Sequence, residues 1–89
     1  MKAQMWNCSG WVNETDPAEL KKHYTVALSS AGFSVLDVAE HHFSPQGYTA
    51  LFLLGESHLA LHTFPEDGQT YFELSSCVSQ PFYSFVRGL

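Results

Sequence analysis

The sequence predicts an α+β fold: a two-layer sandwich in which an antiparallel sheet carries helices on one face and turns its other face toward a dimer partner. Three observations predict it. Strand-like and helix-like segments run in the order strand, helix, three or four strands, helix, with no repeating βα unit. The segment from Gly55 to Cys77 alternates apolar and polar residues, as a half-buried hairpin does. The chain has 89 residues, enough for one domain over 1–89 but too few to fold a second layer over the polar side of the sheet. A second copy is the simplest cover.

Gln4 to Val12, with Met5, Trp6, Cys8, Trp11 and Val12, reads as the first strand, and Gly10 as a bulge or its end. Asn13-Glu14-Thr15 is a turn. Asp16 then suits a helix N-cap, with Pro17 at the first helical position and Glu19 three residues after the cap. Leu20, Tyr24, Ala27, Leu28 and Ala31 recur at helical spacing, and Gly32 suits the helix end. Phe33 to Phe43 reads as the second strand and Ser44-Pro45-Gln46-Gly47 as a turn. Tyr48 to Leu54 is a nearly continuous apolar run, which predicts a central strand buried on both faces.

Gly55 interrupts that run. On the strand that follows, Leu59 and Leu61 share one side, while His58, Ala60 and His62 share the other. Pro65, Asp67 and Gly68 form the hairpin turn. The return strand, Gln69 to Cys77, sends Phe72 and Leu74 one way and Tyr71, Glu73, Ser75 and Cys77 the other. A last helix starts near Ser79-Gln80-Pro81, with Phe82, Phe85, Val86 and Leu89 on one face.

Composition narrows the function. The hydrophobic fraction of 45% fits a packed domain rather than a disordered chain. A formal charge of −5 with only four Lys or Arg argues against nucleic acid and anionic membranes, and suits a cationic small molecule. Two cysteines, Cys8 and Cys77, make no disulfide framework, and no leader or membrane-length apolar run stands out, so a cytoplasmic location is expected. His58 and His62 do not suggest a metal site. Four residues on a strand span roughly 13 Å at about 3.3 Å per residue, too far for one ion.

The chemistry-bearing residues carry a resemblance. Glu56-Ser57-His58, the run His62-Thr63-Phe64-Pro65-Glu66, and Cys77 twenty positions after Ser57 resemble the bacterial and archaeal S-adenosylmethionine decarboxylase proenzymes. So does His42-Phe43-Ser44-Pro45-Gln46-Gly47 upstream. The family's chain normally continues beyond the segment that ends here at Leu89. The resemblance implies a lyase made as a zymogen, which forms the aminopropyl donor for spermidine. The Ser57 hydroxyl attacks the carbonyl of Glu56, the chain cuts between them, and Ser57 becomes a pyruvoyl group that forms a Schiff base with the substrate amine.

Further roles follow from the same resemblance. His62 and Thr49 assist processing, and Cys77 protonates the substrate carbon after carbon dioxide leaves. Glu66, Phe43 and Phe64 meet the substrate, with Phe64 standing where the family usually has tryptophan. The implied partners are S-adenosylmethionine and a second copy of the chain. Two other readings stay open here: pyruvoyl-dependent decarboxylation of arginine or ornithine, and an unprocessed regulatory subunit.

Overall fold

The structure, a computed structural model, describes residues 2–89. Its elements are β1 (Trp6–Val12), α1 (Pro17–Ala31), β2 (Val35–His42), β3 (Tyr48–Leu54), β4 (Ser57–Phe64), a single 3-10 turn (Pro65–Asp67), β5 (Gln69–Ser76) and α2 (Ser79–Arg87). The strands form one sheet in the order β1-β5-β4-β3-β2, and every neighbouring pair is antiparallel. The predicted α+β sandwich is what the chain forms. Among the described residues, no helix is long and apolar enough to cross a membrane.

The two edge strands, β1 and β2, run parallel, so their connection must cross over the sheet, and α1 is that crossover. Its start follows from local chemistry: the Asp16 carboxylate accepts a hydrogen bond from the Glu19 N–H at 3.0 Å, and Pro17 lacks the N–H that would otherwise go unpaired. Gly32 ends it in the left-handed region at φ 108°, where a side chain would be strained. Leu20, Tyr24 and Leu28 form its buried stripe, and Phe82 and Phe85 that of α2. Both stripes press on the same sheet face, against Phe52, Leu54, Leu59, Leu61, Phe72 and Leu74. Full burial of each such leucine or phenylalanine contributes about 1.5–3 kcal/mol. A polar tie fastens the far edge. The Tyr48 hydroxyl donates to Glu40 at 2.6 Å, and Lys21 of α1 reaches the same carboxylate at 3.2 Å.

Several sequence expectations need correction. β3 is buried on one face only. Tyr48, Ala50, Phe52 and Leu54 point to the helices, whereas Leu51 and Leu53 remain 48% and 54% exposed, because both helices lie on one side. Gly10 neither bulges nor ends β1. The register runs unbroken through Gly10 opposite Phe72, and a Cβ there would lie 2.9 Å from the Phe72 ring, so glycine makes room for an aromatic. β1 begins at Trp6 rather than Gln4. β2 is Val35–His42, shorter at both ends than Phe33–Phe43, because the Phe33 N–H still bonds back to the Leu28 carbonyl and the Phe43 N–H turns to the Gly47 carbonyl. The β5 ladder stops at Ser76, which removes Cys77 from the polar row. Leu89 lies past the end of α2 and is exposed.

Candidate active site

The turn joining β3 to β4 holds only Gly55 and Glu56, since Leu54 and Ser57 are already a ladder pair. Its unusual residue is Glu56, at φ 54° in the left-handed region. For a residue with a Cβ this conformation costs roughly 1–2 kcal/mol. The left-handed conformation is thus carried not by Gly55 but by its neighbour, one peptide bond from Ser57.

Ser57 opens β4 in the phase of Leu59 and Leu61, so its side chain points under the helices and is buried. A buried hydroxyl must find a partner or destabilise the fold. Ser57 finds Ser76, its register partner on β5, and donates to it at 3.0 Å. Ser76 in turn donates to the Val78 carbonyl at 3.0 Å and accepts the Val78 N–H at 3.0 Å. Cys77 follows directly. Its thiol donates to the Glu56 carboxylate at 3.4 Å, closing a contact across the end of the hairpin.

Desolvation, first, and then the hydrogen bond and negative charge of Glu56 push the Cys77 thiol above its ordinary range. The sulfur therefore keeps its proton at neutral pH and is a poor nucleophile there. Residue-resolved alkylation of the full-length protein across pH will place the Cys77 transition above that of a free thiol. Glu56→Gln will move it down, because the substitution removes the negative charge beside the sulfur. An unmoved transition in that variant would mean that Glu56 does not act on the thiol.

His62 and Thr49 are brought together, but not to Ser57. The two are register partners on β4 and β3, and the Thr49 hydroxyl lies 3.0 Å from His62 Nδ1. His62 is five residues along β4 from Ser57, roughly 16 Å at about 3.3 Å per residue. The odd spacing also puts it on the opposite face. Any part that His62 and Thr49 take in processing is therefore not played beside Ser57 of the same chain.

They belong instead to a row across the open face: His41, Thr49, His62, Tyr71 and Trp11, one residue from each strand. Aromatic groups gather at its ends. The Trp11 ring lies 5.7 Å from Phe64 and 5.3 Å from Tyr71, and Phe43 lies 4.4 Å from His41. Glu66 stands exposed in the turn after Phe64. Phe43 and Phe64 thus border the open face, and Ser57, Glu56 and Cys77 sit at the hairpin end. A recess of about 460 Å³ lined by His23, Tyr24, Ser84 and Phe85 includes none of these residues.

Sequence reasoning missed two residues. Ser76 occupies the buried phase of β5 with Thr70, Phe72 and Leu74, and a serine in an apolar phase was the available signal. The sequence places Trp11 in the first strand without pointing to a role, and only the register shows that it joins the row of His62.

A family profile described as S-adenosylmethionine decarboxylase matches residues 2–86, nearly the whole chain. The chain belongs to the S-adenosylmethionine decarboxylase family. It is 43% identical over 65 residues to an S-adenosylmethionine decarboxylase proenzyme of Prochlorococcus marinus, covering 73% of this chain and 52% of that one. It is 32% identical over 74 residues to a protein of the same name from Methanococcus maripaludis, covering 83% and 60%. The chain thus spans about half the length of the curated relatives it matches. The fold is similar to the crystal structure of the adenosylmethionine decarboxylase from Aquifex aeolicus, with a TM-score of 0.78 at 19% identity, over 98% of this chain and 78% of that one. Membership in the family gives the hairpin-end residues their interest, since the relatives are named proenzymes.

Proposed function

We propose that this chain is the precursor of an S-adenosylmethionine decarboxylase that cuts itself between Glu56 and Ser57. One observation carries the reading. A left-handed Glu56 directly precedes a buried, hydrogen-bonded serine, with a protonated thiol held at the same hairpin end. Strain at Glu56 raises the energy of the peptide that must break, and burial of Ser57 keeps water away from it.

The chemistry follows from the residues. Ser57 Oγ attacks the Glu56 carbonyl carbon. The new C–O bond replaces the C–N bond, and the hydroxyl proton ends on the freed Ser57 amine. Loss of the Ser57 Cα proton then expels the Glu56 carboxylate, and water displaces the amine as ammonia. The resulting pyruvoyl group at position 57 supplies an electron sink when a bound substrate loses carbon dioxide. The site fits such a group: its carbon skeleton is already in place as Ser57, flanked by Ser76 and a proton-bearing Cys77. In this reading Cys77 delivers its proton to the substrate carbon. His62 and Thr49 move protons during processing, and Glu66, Phe43 and Phe64 meet the substrate.

A dimer is part of the same proposal. The open face leaves Leu51, Leu53, Trp11 and Phe64 between 40% and 56% exposed, an apolar patch suited to an interface. His62 of one copy, out of reach of its own Ser57, is then free to serve the other.

Intact mass tests the reading. Purified protein will show two pieces, 1–56 and 57–89, the second blocked at its N-terminus. Full-length mass after long incubation would overturn it. Cys77→Ala will still cut but lose most decarboxylation of S-adenosylmethionine. Arginine and ornithine are the control substrates, and turnover of either in place of S-adenosylmethionine would change the substrate assignment.

A further inference from the structure

We infer that Ser76 is a positioning residue for self-cleavage, fixing the Ser57 hydroxyl in the orientation from which it attacks the Glu56 carbonyl. The inference rests on the self-cleaving reading above and adds a residue to it.

Ser76 is fully buried on the helix side of β5, directly opposite Ser57. A hydroxyl has one proton and two lone pairs. Ser76 uses all three: its proton goes to the Val78 carbonyl, one lone pair takes the Val78 N–H, and the other takes the Ser57 proton. The Ser76 proton has no freedom to turn toward Ser57, so the direction of the Ser57–Ser76 bond is set. The Ser57 proton points at Ser76, and the lone pairs of Ser57 are left for attack.

Without that anchor the Ser57 hydroxyl is held less tightly, with Cys77 as its remaining polar neighbour, and spends less time in attack geometry. In the acyl shift the Ser57 O–H bond breaks as the C–O bond to Glu56 forms. The departing proton passes from the hydrogen bond with Ser76 to the Ser57 nitrogen as the C–N bond breaks. No other reactant is consumed.

Ser76 also shapes the turn into α2 through Val78, so the test must separate alignment from folding. Wild type, Ser76→Ala, Ser76→Thr and Ser76→Cys are compared by time-resolved intact mass, with and without hydroxylamine, which cuts the Glu56–Ser57 ester once it has formed. Ser76→Ala will cut about tenfold more slowly or worse under both conditions. Ser76→Thr, which keeps the hydroxyl, will cut within about threefold of wild type. Ser76→Cys keeps the shape but bonds weakly. It will be slow too, and it carries the test if the alanine variant fails to fold.

Wild-type rates in Ser76→Ala or in Ser76→Cys would overturn the inference. So would hydroxylamine restoring the wild-type rate to a slow variant, because the ester would then form normally. A wild-type chain that never cuts, with or without hydroxylamine, overturns the self-cleaving reading and this inference together. A wild-type chain that cuts beside an unaffected Ser76→Ala overturns only this inference.

Discussion

Ser57→Ala will leave the chain uncut at every time and pH, with only a small change in stability. The first half of this expectation is chemical. No hydroxyl remains to attack the Glu56 carbonyl, and the other buried hydroxyl nearby, Ser76, has its proton committed to the Val78 carbonyl. The second half is structural. Removing the Ser57 hydroxyl costs about 0.5–1.5 kcal/mol as one lost hydrogen bond. Ser76 is left with one unfilled lone pair but still holds both of its bonds to Val78. The cavity is small, since a single oxygen is removed. A thermal melt close to that of an uncut wild-type sample, together with full-length mass, is the expected pair of results. Cleavage of Ser57→Ala would put the reactive hydroxyl elsewhere.

How much of this arrangement the sequence could reveal depends on what each signal encodes. Local signals were legible. Asp16 with Glu19 and Gly32 mark the two ends of α1, because capping depends on a few adjacent residues. The apolar run Tyr48 to Leu54 gives the limits of β3, since Gly47 and Gly55 bound it. What covers each face was not legible. Periodicity says which residues share a side, not what lies over it, so an apolar run predicts burial on both faces even where, as at Leu51 and Leu53, one face is exposed.

The site divides along the same line. Parity along β4 already places Ser57 with Leu59 and Leu61, and parity along β5 places Ser76 with Phe72 and Leu74. The end of β5 was hidden, because the ladder stops where the Ser76 hydroxyl captures Val78, and that contact lies outside any alternation pattern. The strain was hidden too. Glycine is the usual owner of a positive φ, yet here Gly55 precedes the residue that adopts it.

His62→Ala will also fail to cut, by about a hundredfold or more if its imidazole moves protons in processing. The instructive result is what rescues it. His62 and Ser57 lie at different levels of β4 and on opposite faces, so one chain does not bring them together. Stacked sheets pack about 10 Å apart. Two open faces packed in opposite directions would set the His62 row of one copy toward the Glu56–Ser57 peptide at the hairpin end of the other, where the ladder ends, rather than toward the Ser57 hydroxyl, which points under the helices. Co-expression of His62→Ala with Ser57→Ala should then restore cutting, and only in the His62→Ala chain, which keeps its own Ser57 and borrows the partner's imidazole. Tags of different mass tell the two chains apart. A chain carrying both substitutions should rescue neither single variant, since it offers no imidazole to His62→Ala, and Ser57→Ala lacks the hydroxyl at its own cut site whatever its partner carries. Failure of the mixed pair to cut, or light scattering that finds a monomer which still cuts, would return His62 to a role within its own chain. That outcome would require the β4 hairpin to rearrange so that residues roughly 16 Å apart meet.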